Sequence, residues 1–144
     1  QELARRMKLT KSVRFIGSVS QSELPVHYAA ADICVLPSHY ESFGLAALEA
    51  SACGRPVVAS EVGGLPTIVQ SGSTGFLVPA KQSDVMAERL CELLGDDLMR
   101  SRMGAAAREH AETLSWERST DALLATYRDL IPTPSITAVP AAGG

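Results

Sequence analysis

Residues 33–60 read Ile33-Cys34-Val35-Leu36-Pro37-Ser38-His39-Tyr40-Glu41-Ser42-Phe43-Gly44-Leu45-Ala46-Ala47-Leu48-Glu49-Ala50-Ser51-Ala52-Cys53-Gly54-Arg55-Pro56-Val57-Val58-Ala59-Ser60. The apolar run 33–36 ends at a proline, which cannot continue a central strand, so it is predicted as a buried strand. A polar loop follows. From 44 to 53 the residues are mostly small, and Gly54 offers a left-handed stop, so a helix is predicted over 44–53. Residues 57–60 form a second apolar strand. Strands that are apolar throughout, separated by a helix, require a parallel sheet covered on both faces.

The same alternation extends outward. Upstream, residues 13–16 (Val-Arg-Phe-Ile) are predicted as a strand ending at Gly17. A helix follows over 21–31, with Ser20 as N-cap and Glu23 three residues on, the spacing of a capping box. Downstream, Gly63-Gly64 breaks the chain and residues 76–78 make a short last strand. After Pro79 the pattern is helical only, over about 83–94, 97–113 and 116–131. The last helix carries an apolar stripe of Trp116, Ala122 or Leu123, Tyr127 and Leu130. Residues 132–144 are mostly Pro, Ala, Gly, Ser and Thr, a composition predicted to be disordered. The fold class is therefore α/β, a Rossmann-like parallel sheet with flanking helices over residues 1–131. Four strands are few for a doubly wound sheet, and no initiator Met opens the sequence. Both features point to part of a longer protein, with one sheet edge bare.

With 144 residues, 46% hydrophobic and 20% charged, the chain has room for one ordinary domain. A net charge of −3 lacks the basic surplus of a nucleic-acid binder. No apolar run reaches the ~20 residues that span a bilayer, and the amino-terminal segment has no apolar core of a signal peptide. Arg5, Arg6, Lys8, Lys11 and Arg14 form a small basic cluster, which fits an anionic membrane surface or, more simply, a solvated helix face. Cys34, Cys53 and Cys91 make an odd count among apolar neighbours, which is read as buried free thiols in a reducing, cytoplasmic setting. The three cysteines and three histidines show no metal-ligand spacing.

Chemistry is concentrated between Pro37 and Ala50. This loop lies at the carboxyl end of a strand, where open α/β sheets bind ligands. Free amides around Phe43, Gly44 and Leu45, at a helix start, can donate to phosphate or hydroxyl oxygens. Glu49 is the only charge between Gly44 and Gly54. A carboxylate among Leu45, Ala46, Ala52 and Cys53 needs a partner; the vicinal hydroxyls of a ribose would serve, as would a backbone amide or plain exposure. Glu41 is either a solvated loop carboxylate or an acceptor for sugar hydroxyls that also steadies positive charge on the ring. Gly63-Gly64 either lets a diphosphate approach the backbone or makes a strand-exit turn. Gly72 and Gly75 read as turn residues, His39 as a solvated loop histidine, and His27 and His110 carry no assignment.

Seven residues separate Glu41 from Glu49. The run Glu-Ser-Phe-Gly-Leu-Ala-Ala-Leu-Glu-Ala resembles the Glu-x7-Glu motif of family 4 glycosyltransferases. The similarity continues in order through residues 52–60, Val62-Gly63-Gly64-Leu65-Pro66 and 72–78, and upstream through Arg14-Phe15-Ile16-Gly17 and Tyr28-Ala29-Ala30-Ala31-Asp32. Within that family it is most similar to the subgroup of the mycothiol-pathway enzyme and sucrose-phosphate synthase. The resemblance implies the partial C-terminal, donor-binding half of a two-domain GT-B enzyme, with residues 1–131 as that domain, truncated at its N-terminus. The acceptor would then be held by an N-terminal domain absent from this sequence.

It further implies that Glu49 holds the ribose and Glu41 the transferred hexosyl group. Ser42, Phe43, Gly44 and Leu45 would bind sugar and diphosphate, Gly63 and Gly64 would lie against the donor, and Ile16, Gly17 and Ser18 would contact the base. Transfer would retain configuration from a UDP- or GDP-sugar, with no cofactor and no required metal, the leaving phosphate helping to deprotonate the acceptor. Two departures stand out. The family's basic pair for the diphosphate has no counterpart before Val13, and Thr67 stands where many relatives carry Glu after Gly-Gly-Leu-Pro. Such a piece is expected to be inactive alone. A non-catalytic nucleotide or nucleotide-sugar binding module is the alternative; a GT-B epimerase fits the motif less well.

Overall fold

A computed structural model describes residues 1–131; the predicted disordered segment 132–144 lies outside the described residues. In order, the elements are α1 (Glu2–Arg6), α2 (Leu24–Ala30), β1 (Cys34–Leu36), α3 (Leu45–Ala52) and β2 (Val57–Ser60). They continue with α4 (Leu65–Ile68), β3 (Gly75–Val78), α5 (Ser83–Gly95), α6 (Asp97–Glu112) and α7 (Trp116–Leu130). The chain divides into two compact units, residues 1–111 and the stretch from Glu112 onward.

In the first unit, three parallel strands pair in the order β1-β2-β3. Cys34 stands opposite Val57 in one ladder, and Val57 opposite Gly75 in the next. All four residues of β2 are buried, so both of its faces are covered, and α3 and α5 both pack against the strand. Val58 joins Phe76, Val78, Met86, Leu93 and Met103 in an apolar core shared by β2, β3, α5 and α6. Side chains alternate along a strand, so Val57 and Ala59 point to the opposite face. Ala47, Ala50 and Ser51 form the buried stripe of α3 at helical spacing, and their small size lets the helix lie close to its neighbours.

Two sequence expectations are corrected. Residues 13–16 are not a strand, so the sheet has three strands. The amides of Ser12 and Val13 instead close a turn on the carbonyl of Leu9 (2.9 Å each), and Phe15 and Ile16 are exposed. A strand exists only as half of a ladder, and among the described residues this segment meets no partner. The helix predicted over 21–31 begins at Leu24, because Pro25 is tolerated only in a first turn. Ser20 is therefore not its N-cap. One half of the capping box survives: the Ser20 hydroxyl and amide donate to Glu23 Oε2 at 2.6 and 3.4 Å.

Further differences are local. The one-turn helix α4 is new, its Pro66 sitting in the first turn. Gly75 opens β3 and does not make a turn. Cys91 is exposed on α5, and Cys34 and Cys53 are half-buried, so the three thiols are free but not uniformly buried. Arg5 and Arg6 of the basic cluster lie on the short, exposed α1, where Arg5 pairs with Glu2 at 3.5 Å. In the second unit, Ser115 caps α7 by accepting from the Arg118 amide at 3.3 Å, and no residue of α7 is buried. Among the described residues, no helix is long and apolar enough to cross a membrane.

Candidate functional site

The parallel strands end together at Leu36, Ser60 and Val78, so the loops after them share one edge of the sheet. The loop after β1 carries Glu41, half-buried, and the exposed Ser42. Phe43 is 46% exposed. Gly44 is buried and caps α3 with φ +96°, a left-handed conformation that excludes other residues without strain. A Cβ there would also lie 2.9 Å from Leu65 Cδ2 and 3.2 Å from Ile68 Cδ1. Inside the helix, the amide of Ala47 bonds to the Gly44 carbonyl. Among the described residues, the amides of Phe43, Gly44, Leu45 and Ala46 have no acceptor. They form a row of donors at a helix N-terminus, the arrangement that takes anions and hydroxyl oxygens.

Gly63 and Gly64, in the loop after β2, press on the backbone of the same segment. A Cβ on Gly64 would stand 2.6 Å from the Phe43 carbonyl oxygen and 2.8 Å from that of Ser42. The loops bearing Glu41 and Gly63-Gly64 are thus one packed unit.

Glu49 lies one turn into α3 and is half-buried beside, not on, the buried stripe. Its carboxylate has a partner that sequence spacing did not indicate: the Tyr28 hydroxyl, on α2, donates to Glu49 Oε2 at 3.1 Å. Burial, then the bond to Glu49, pushes the Tyr28 phenol up to about 12. Burial likewise raises the neighbouring Cys34 thiol to about 11.

Ile16, Gly17 and Ser18 lie in exposed coil, with Gly17 at φ +82°. No hydrogen bond joins them to residues 41–45 among the described residues. A cavity of about 330 Å³ opens at the same sheet edge, lined among others by Pro37, His39, Ser60, Lys81, Met86 and Leu90. Neither Glu41 nor Glu49 lines it. His110, left unassigned from sequence, latches α6 to the α4 region: its Nε2 meets the Thr67 carbonyl at 3.0 Å, and Nδ1 meets Gln70 Nε2 at 3.3 Å. Among the described residues, no three His, Cys, Asp or Glu side chains gather as a metal-binding group.

A parallel α/β sheet with flanking helices, whose carboxyl edge gathers free helix amides, a loop carboxylate and close-packed glycines, is of Rossmann-like type, and that edge is where open α/β sheets take their ligands. More particularly, the chain belongs to the glycosyl transferases group 1, whose family model matches residues 1–110. It is 45% identical over 130 residues to the D-inositol 3-phosphate glycosyltransferase of Thermobifida fusca (strain YX), a match covering 90% of this chain and 30% of that protein. Among solved structures it resembles the sucrose-phosphate synthase of Thermosynechococcus elongatus, at TM-score 0.82 and 39% identity over 90% of this chain and 33% of that one. It also resembles Anabaena HepE in complex with UDP, at TM-score 0.80 and 26% identity over 90% and 35%. The chain thus spans about a third of the length of each of these three proteins.

Proposed function

We propose that this chain forms the donor-binding part of a retaining glycosyltransferase that moves a hexosyl group from a UDP-sugar. The observation that carries this is the placement of Glu41 and the α3 amides on one loop at the carboxyl edge, with Glu49 one turn further into the helix. The amides of Phe43, Gly44 and Leu45 receive sugar and diphosphate oxygens. Glu41, beside Ser42, accepts from hydroxyls of the transferred sugar and, being anionic, favours the positive charge that grows on the ring as its bond to the diphosphate breaks. Glu49 accepts the two ribose hydroxyls, Ile16, Gly17 and Ser18 meet the base, and Gly63-Gly64 borders the donor. UDP is favoured over GDP because the HepE likeness is to a complex with UDP. The acceptor surface, and the positive charge that neutralises the diphosphate, belong to sequence outside this chain.

The test uses the full-length protein. Glu41→Gln should leave UDP affinity nearly unchanged while lowering kcat about tenfold or more, roughly 1.4 kcal/mol of transition-state stabilisation. Weakened UDP binding with normal turnover would overturn the assignment. A UDP-sugar bound firmly by the parent protein, with neither transfer nor hydrolysis, would favour the non-catalytic binding module instead.

A further inference from the structure

We propose that Tyr28 is a positioning residue for the donor nucleotide: its hydroxyl holds the Glu49 carboxylate in the orientation that two vicinal ribose hydroxyls require. The inference rests on Glu49 being the ribose acceptor. It adds a residue from a different helix, one to which no role in donor binding has been assigned.

The geometry is that of a buttress. Tyr28 and Glu49 are 21 residues apart, and the 3.1 Å bond joins α2 to α3. A second tie fixes the same two helices at their ends. Arg55, just beyond α3, donates from Nη1 to the Ala31 carbonyl at 3.1 Å and from Nε to the Cys53 carbonyl at 3.3 Å. Ala31 is the C-cap of α2 and Cys53 that of α3. With its helix fastened in this way, Tyr28 presents its hydroxyl from a set place. The phenol stays protonated far above neutral pH, so it remains a donor wherever Glu49 is an acceptor.

The bond also leaves the right capacity open. A carboxylate offers about four lone-pair sites. Tyr28 takes one on Oε2, leaving one there and both on Oε1. A ribose diol brings two hydroxyl protons to that face. Without Tyr28, the carboxylate turns about its broad terminal torsion. The ordering of a long, flexible side chain must then be met when ligand binds, which weakens binding without touching the reacting atoms.

The experiment uses the full-length protein with Tyr28→Phe, Glu49→Ala and the double variant. Each is titrated with UDP and with 2′,3′-dideoxyuridine diphosphate. Tyr28→Phe should weaken UDP about threefold to tenfold, the net worth of one ordinary hydrogen bond that acts through a second residue, and leave the dideoxy analogue unchanged. The KM for UDP-sugar should rise while kcat holds. The double variant should bind UDP no worse than Glu49→Ala alone, since Tyr28 acts only through Glu49. No loss for UDP, equal loss for both nucleotides, or additive losses would overturn the inference. A lowered unfolding midpoint accompanying equal losses would mark Tyr28 as purely structural. If Glu49→Ala loses the preference for ribose while Tyr28→Phe keeps it, Tyr28 alone fails. If Glu49→Ala keeps that preference, the ribose assignment fails and takes this inference with it.

Discussion

Gly63 lies so close to Glu41 that a Cβ at position 63 would collide with the Glu41 carbonyl group, standing 2.7 Å from its carbon. Gly63 also has φ +53°. The two constraints are independent, one from the backbone of another loop and one from its own torsion, and both exclude a side chain. The requirement for glycine here arises from loop packing, whatever ligand the edge holds. It also links two motifs 22 residues apart: the loop presenting Glu41 keeps its shape because the loop after β2 leaves room for it.

Gly63→Ala should therefore both destabilise the fold and spoil the site. Backbone cannot swing away as a flexible side chain can, so overpacking of this kind costs about 1–3 kcal/mol. A fall in the urea midpoint, together with weaker UDP binding by the full-length protein, is the expected pair of results. A variant matching its parent in both would show that positions 63 and 41 are not in contact.

Gly44→Ala tests the start of α3. Its left-handed φ of +96° costs a non-glycine residue about 1–3 kcal/mol, and the new methyl meets Leu65 Cδ2 at 2.9 Å and Ile68 Cδ1 at 3.2 Å. The two contributions separate in a double-mutant cycle. In a Leu65→Val background the steric part is relieved, so Gly44→Ala should cost less there than in the parent. Equal cost in both backgrounds would leave only the backbone strain.

The stretch 33–60 was legible because β2 is covered on both faces, and a strand so placed is apolar without alternation. Its helix was expected over 44–53 and lies at Leu45–Ala52. Residues 13–16 misled for the converse reason: their composition suits a strand, but pairing is a tertiary property that composition does not encode. In the sequence Glu49 stands out as a lone charge among small apolar residues. In the fold the buried stripe is Ala47, Ala50 and Ser51, and Glu49 flanks it, facing Tyr28. Neither Tyr28 nor His110 announced itself, since contacts 21 and 43 residues apart leave no local spacing to read.

Ser51 is 1% exposed, and its hydroxyl has no hydrogen-bond partner among the described residues. An unsatisfied buried hydroxyl keeps its desolvation cost with nothing in return. Ser51→Ala removes that group, keeps the close packing of the stripe, and improves helix propensity slightly. The chain should gain about 1 kcal/mol, read as a higher urea midpoint at unchanged slope. A lower midpoint would reveal that the hydroxyl is bonded in solution.

The last prediction concerns alkaline pH. Burial, with help from Glu49, raises Tyr28 from 10.0 to about 12, and burial raises Cys34 from 9.0 to about 11. A group whose folded form holds its proton more tightly than its unfolded form stabilises the fold fully below the unfolded value. That contribution is lost as pH climbs to the folded one. Stability should therefore begin to fall near pH 9 as unfolded Cys34 loses its proton, and continue falling to about pH 12 as Tyr28 follows. Cys34→Ala should remove the earlier part of this decline and Tyr28→Phe the later part. Unfolding in urea across this range measures both. Glu49→Gln supplies a second readout, because removing the carboxylate takes away the charge a phenolate would face at 3.1 Å. The phenolate titration of Tyr28, isolated as the ultraviolet difference that Tyr28→Phe makes in the Glu49→Gln background, should then move down part of the way from about 12, since burial, the larger cause, remains. A titration that stays near 12 in Glu49→Gln would mean that burial alone holds the Tyr28 proton, and that the bond to Glu49 is weak in solution.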